Sequence, residues 1–275
     1  MNPDNTFDWA SATDVGRVRN NNEDALAAST EIGIFVLADG MGGHKSGEIA
    51  SNLAITTVLD HLSHTLPELI PGRIDEDIGY TRESIAIREA IIHANETIHQ
   101  TAQKQIEYEG MGTTIVLLGF YGPRMTVAHV GDSRVYRFRN EQLEQLTSDH
   151  TMLQELVDRG FYTEEEAQKS MHKNLVTRAL GADATVAVDI QEDLVLPGDT
   201  YLLCSDGLHD FVDSTHIIEY ITTIDDLNKC SKQLIEEANR NGGRDNISLI
   251  LIRPKGTFRI KKPLISKIKS WISKK

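Results

Sequence analysis

Short apolar runs alternate with amphipathic stretches along most of the chain, and the period of each stretch separates strand from helix. Strands are predicted at 8–13, 33–38, 113–120, 124–130, 134–139, 187–193, 199–204 and 246–253. Helices are predicted at 47–62, 83–105, 152–159, 164–169, 215–221 and 225–241. In the second helix Ile87, Ile91, Ala94, Ile98 and Ala102 recur at three- and four-residue intervals, giving one apolar stripe to lay on a sheet. Thr163 and Glu166 have the spacing of a capping box. Tyr121, Gly122 and Pro123 are too short a link for anything but an antiparallel hairpin, which argues against parallel winding. Residues 65–80, with Pro67, Pro71, Gly72 and Gly79, read as a surface connection between the first two helices. Together these elements predict an α+β fold of stacked antiparallel sheets flanked by helices.

Composition adds a size and a compartment. The 275 residues are 40% hydrophobic and 25% charged, enough for a sizeable core, and neither a low-complexity linker nor a repeat interrupts residues 1–253. One domain over 1–253 followed by a tail at 254–275 is expected. The start, MNPDNTFDWA, has neither a basic nor an apolar segment of leader type, so a cytoplasmic protein is expected. Cys204 and Cys230 suggest no disulfide framework.

Charge is uneven. The tail carries Lys255, Arg259, Lys261, Lys262, Lys267, Lys269, Lys274 and Lys275 and no acid, so the net −13 divides into +8 there and −21 in the body. A body that acidic excludes nonspecific nucleic-acid binding and would repel a phosphorylated substrate unless its site were locally positive.

Five acidic signatures are spread through that body: NNED (21–24), ADGMGGH (38–44), GDSR (131–134), SDG (205–207) and RDNIS (244–248). The apolar runs IFVLA and TYLLC lead into Asp39 and Asp206, each followed by a glycine that lets backbone approach a ligand closely. Taken singly, each acid suits a turn or a helix cap. As a set at strand ends they predict a convergence of carboxylates that only a cation can neutralise. Oxygen ligands without clustered Cys or His favour Mg²⁺ or Mn²⁺ over zinc. The pair His61 and His64 is what ten histidines produce by chance, and neither a P-loop nor a dinucleotide fingerprint is present.

The string TDVGRVRNNNEDA (13–25), followed in order by LADGMGGHKSGEIAS, GMGTT, HVGDSRVY, LTSDH, VTRALG, LLCSDGLHD and GGRDNIS, resembles the metal-dependent PPM (PP2C-type) serine/threonine protein phosphatases in their compact bacterial form. The resemblance runs from about Phe7 to Ile252 and implies an α-β-β-α sandwich. It implies that Asp39 bridges two ions, with the Gly40 carbonyl as a further ligand. By the same resemblance Asp206 and Asp245 would complete the first ion, Glu23 and Asp24 would act chiefly through ion-bound waters, and Asp132 would share a third ion with Asp206. Two cations about 4 Å apart would then activate one water against phosphorus. Arg19 matches the family's phosphate-binding arginine, whose planar fork suits two phosphate oxygens, and Arg17 is the competing candidate. Phosphorylated proteins are the implied substrates, and a Ser/Thr kinase acting on the same proteins is the implied counterpart.

Weaker candidates surround this set. Asn246 is read as orienting Asp245. Asp210 reads equally as an outer ligand or as the cap of the next helix. His44 is a proton donor or a loop-packing residue, and Met41 stands where many eukaryotic relatives have histidine. Residues 147–184 coincide with the family's mobile flap, where Lys169, His172 and Lys173 would attract an acidic phosphopeptide or simply be solvated. In the tail, Leu264, Ile265, Ile268, Trp271 and Ile272 fall on one helical face opposite most of the lysines. That pattern suits a peripheral contact of residues 260–275 with the inner face of an anionic membrane or with a partner, or docking on the acidic body. A monomer is expected. Two other readings stand beside the leading one: a phosphatase of a small metabolite, and a catalytically silent binding module.

Overall fold

A computed structural model describes residues 6–42, 46–163, 166 and 175–256. Among the described residues eleven strands are formed by β1 Phe7–Asp14, β2 Asp24–Ser29, β3 Ile34–Met41, β4 Gly112–Thr113, β5 Ile115–Tyr121, β6 Arg124–Val130, β7 Arg134–Arg139, β8 Gln142–Gln145, β9 Asp189–Leu194, β10 Thr200–Cys204 and β11 Ile247–Pro254. The helices are α1 Ser46–Thr65, α2 Arg82–Lys104, α3 Met152–Asp158, the single turn α4 Asp206–His209, α5 Ser214–Thr223 and α6 Leu227–Arg240. One sheet runs β1-β11-β10-β7-β8 and the other β2-β3-β5-β6-β9, with β4 added to the end of β3. Every strand pair described is antiparallel. The α-β-β-α sandwich expected from the sequence is therefore the fold.

The layers follow from which faces are apolar. Phe7, Phe35, Phe120 and Tyr201 meet between the sheets with ring centroids 5.0 to 5.9 Å apart, and Val116, Leu118, Leu203, Ile250 and Ile252 fill the same layer. On the outer face of the second sheet, α1 contributes Ala50, Ala54, Val58 and Leu62, and α2 contributes Ile87, Ile91, Ala94 and Ile98. The stripe predicted for α2 is this buried face, and its start is capped by Thr81, whose side chain accepts the Ser84 N–H. On the first sheet α5 and α6 bury Ile217, Ile221, Leu227, Cys230, Leu234 and Ala238.

Strand-by-strand differences from the sequence reading are local. The hairpin of β5 and β6 closes at Tyr121 and Arg124 around Gly122, whose φ of +58° only glycine adopts freely. Thr163 and Glu166 make the capping-box bonds in both directions. Strands β2 and β8 depart from the expected set: DALAAS and QLEQ carry little strand propensity and are held by pairing with β3 and β7. Residues 164–165 and 167–174, most of the fourth predicted helix, and the tail from 257 lie outside the described residues.

Candidate metal centre

Register brings the acidic signatures to one pole. At the end of the second sheet Asp24 and Asp39 are paired across β2 and β3. In the first sheet Cys204 at the end of β10 pairs with Arg134 at the start of β7 and with Leu249 near the start of β11. Asp206, at the start of α4, and the loops carrying Asp132 and Asp245 therefore leave from that same edge. Ser205 joins the two sheets there by donating from Oγ to Asp24 Oδ2 at 3.0 Å, and Thr114 on the second sheet meets Ser133 on the first at 2.8 Å.

Each backbone turn is held by specific bonds. The Asp39 N–H donates to Thr114 Oγ1 at 3.1 Å, and Thr113 Oγ1 donates to the Asp39 carbonyl at 2.8 Å. The Gly40 N–H reaches the Glu23 carbonyl at 3.2 Å, joining the NNED loop to the end of β3. A side chain at Gly40 would meet the Gly47 carbonyl oxygen at 2.2 Å and the Glu23 carbonyl oxygen at 2.6 Å. At Gly47, in the first turn of α1, an added Cβ would lie 2.2 Å from Glu23 Oε2, so this glycine makes room for that carboxylate.

Asn246 acts differently from the sequence reading. Its side chain accepts the Glu23 N–H at 2.8 Å and donates to the carbonyls of Val15 at 3.0 Å and Asn21 at 2.9 Å, so it pins both ends of the loop that carries Arg19. The Asp245 carboxylate is held instead by the Asn246 backbone N–H, at 2.8 Å. Asp210 does not cap the following helix; Asp213 does, accepting the His216 N–H at 3.0 Å, while Asp210 ends the α4 turn. Arg19, not Arg17, faces the acids: its Nη2 donates to Asp245 Oδ2 at 2.7 Å, whereas the Arg17 backbone is tied to Gly243. Met41 ends β3, paired with Gly112. His44, Lys169, His172 and Lys173 lie outside the described residues.

The carboxylates strain one another. Burial raises Asp39 well above the usual carboxylate range, and the charges of Asp24, Asp206, Asp132 and Asp245 raise it further. Asp206 is raised well above its usual value in the same way, by burial and then by Asp132, Asp245, Asp210 and Asp24. Asp24 is pushed up to about 6, chiefly by burial, against hydrogen bonds from Ser248 and Ser205 that favour its charge. Burial also raises Asp132, in opposition to His209. Two carboxylate oxygens, Asp24 Oδ1 and Asp206 Oδ1, are buried without a hydrogen-bond partner. Five mutually repelling acids with orphaned oxygens, beside a carbonyl stripped of any side chain at Gly40, fit hard divalent cations. The sequence reading missed Ser205, Thr114 and Gly47, whose roles exist only across the sheet boundary.

A second gathering differs in chemistry. His129 and His150 stack at 4.6 Å beside Asp189, but Arg178 Nη1 donates to Asp189 Oδ1 at 2.9 Å and supplies the positive charge there. Burial, then the neighbouring His129, pushes His150 down to about 4. This cluster ties the 147–150 and 176–179 segments to β6 and β9.

Known proteins match this arrangement. The protein phosphatase 2C family profile matches residues 16–238. The serine/threonine phosphatase stp of Listeria monocytogenes is 35% identical over 243 residues, covering 87% of this chain and 93% of that protein. The crystal structure of the Mycobacterium tuberculosis serine/threonine phosphatase PstP superposes with a TM-score of 0.79 at 37% identity, over 90% of this chain and 98% of that one. A structure of the PstP catalytic domain in complex with two manganese ions gives 0.74 at 36% identity, over 90% and 97%. With its sandwich, its acidic pole and a profile match over most of its length, the chain belongs to the protein phosphatase 2C (PPM) family of metal-dependent serine/threonine protein phosphatases.

Proposed function

We propose that this chain hydrolyses phosphoserine and phosphothreonine in proteins at a two-ion Mg²⁺ or Mn²⁺ centre, in opposition to a Ser/Thr kinase, and that residues 1–253 are the catalytic unit. The observation that carries this reading is the gathering of Asp24, Asp39, Asp132, Asp206 and Asp245 at one pole with two buried oxygens unpartnered. Manganese in the PstP relative supports the same ions here. Asp39 would serve both ions, the Gly40 carbonyl would be a further ligand of the second, Asp206 and Asp245 would complete the first, and Glu23 and Asp24 would act through water. Asp132 with Asp206 would hold a third. When bound, such ions polarise phosphoryl oxygens and acidify water enough to serve as nucleophile near neutral pH.

The chain's own residues supply position and charge. Arg19 stands at the rim with half its side chain exposed, where a phosphate on a polypeptide can reach it, and its fork accommodates two oxygens. Asn246 fixes the height of that loop relative to Asp245. An open rim favours protein substrates over a small metabolite, which enzymes enclose. Hydrolysis of a phosphothreonine peptide in the presence of Mn²⁺, with calorimetric Mn²⁺ binding, tests the assignment. Asp39→Asn and Asp245→Asn are expected to lose both. Turnover that survives chelation, or an Asp39→Asn protein that still binds two ions, would end this reading.

A further inference from the structure

Beside the acidic pole a groove of about 800 Å³ opens between α3 and α5, with Asp132 and Asp206 at its inner end. It is a continuation of the metal centre on the side away from the NNED loop, and its charges are one-sided. Arg134, the one Lys or Arg among its lining residues, is committed to Asp149 by bonds of 2.6 to 3.1 Å from Nε and Nη2. Beyond the two acids read as ion ligands, Asp210 and Asp213 add two further carboxylates to the wall. Asp213 is two-thirds exposed, with Oδ1 accepting the His216 N–H and Oδ2 3.0 Å from His216 Nδ1.

A buried polar group also looks into this space. The His209 side chain is only 4% exposed, its Nε2 donates to the Asp132 carbonyl at 3.1 Å, and its Nδ1 makes no hydrogen bond, with Asp210 Oδ1 3.4 Å away. The imidazole thus lies between the Asp132 backbone and the Asp210 carboxylate at the inner wall. The far wall is the start of α3, with Thr151, whose Oγ1 accepts the Gln154 N–H, Gln154 itself, and the apolar Leu153 and Val157.

We propose that this groove receives basic side chains, arginine or lysine, that flank the phosphorylated residue of the substrate polypeptide. The assignment rests on the phosphatase reading above and narrows its substrate class. A phosphate held over the acids places neighbouring residues of its chain within an arginine's length of Asp210 and Asp213. There an ammonium or guanidinium gains two carboxylates, and an acidic residue meets repulsion. The strongly acidic body acts in the same direction from a distance.

The test compares kcat/KM of the full chain with Mn²⁺ on two phosphothreonine peptides of equal length, one flanked by arginines and one by glutamates, at low and high salt. The arginine peptide is expected to be favoured roughly fivefold or more at low salt, with the ratio shrinking as salt screens the groove. Asp213→Asn keeps the helix cap and should lower that ratio. Gln154→Lys places a cation on the opposite wall and should lower it further. Equal turnover of the two peptides, a preference for glutamate, or a ratio unmoved by both substitutions overturns the groove's role while phosphopeptide hydrolysis stands. Failure to hydrolyse either peptide removes the phosphatase reading as well.

Discussion

Replacing Gly40 with alanine puts one methyl group where the end of β3, the NNED loop and the first turn of α1 meet. The added carbon would sit 2.2 Å from the Gly47 carbonyl oxygen and 2.6 Å from the Glu23 carbonyl oxygen, both backbone atoms. Tolerated contacts begin near 3.0 Å, so Gly47 must retreat by at least 0.8 Å and Glu23 by at least 0.4 Å. Overpacking of this kind costs about 1–3 kcal/mol, which in a domain of this size lowers Tm by roughly 2–12 °C. The larger effect falls on chemistry, because the displaced atoms belong to the proposed ion cradle. A misplacement near 1 Å costs on the order of a hundredfold in rate. The assay is thermal melting together with kcat/KM on a phosphothreonine peptide, with Gly72→Ala as the control. Gly72 has a φ of +70° but nothing within 4 Å of its added carbon, so that variant should lose stability through backbone strain and keep its rate. A Gly40→Ala protein within twofold of the parent in kcat/KM would refute the crowding argument.

Asn246→Ala removes three part-buried hydrogen bonds and is expected to cost about 2–4 kcal/mol in denaturant unfolding, with a raised KM because the Arg19 loop is freed. The raised carboxylates of Asp24, Asp39, Asp132 and Asp206 stabilise the ion-stripped protein most fully below the unfolded carboxylate range. That contribution is lost as pH rises through their folded values, of which Asp24 lies at about 6. Divalent ions bind the deprotonated form, so the rise in Tm on adding Mn²⁺ should be larger at pH 8 than at pH 5.5, and an equal rise at both would contradict the coupling. Burial pushes the Cys204 thiol up to about 12 and the Cys230 thiol up to about 11, so a thiol reagent at pH 8 should label neither until the protein unfolds.

Elements with a clean period are legible in the residue pattern itself. The α2 stripe, the Gly122–Pro123 hairpin and the run IFVLA each carry enough apolar signal to override local ambiguity. Strands β2 and β8 are not legible in this way, because DALAAS and QLEQ become strands only when β3 and β7 offer them an edge. The acids stand out by type, but their partners do not. Sequence adjacency pairs Asn246 with Asp245, whereas the Asn246 side chain works on Val15, Asn21 and Glu23 at the other end of the chain. No local pattern can report a bond across more than 220 residues.

From residue order alone came the α+β layering, the ordered acidic signatures and the kind of ion they suit, since periodicity and ligand chemistry are properties of short segments. Only the fold decided that Asp24 and Asp39 lie opposite each other, that Ser205 bridges two sheets, and that Arg19 rather than Arg17 meets Asp245. It also decided that a one-sided acidic groove runs on from the acidic pole. Those facts depend on register and on which strand ends share a pole, and both are set by burying Phe7, Phe35, Phe120 and Tyr201 in one layer between the sheets.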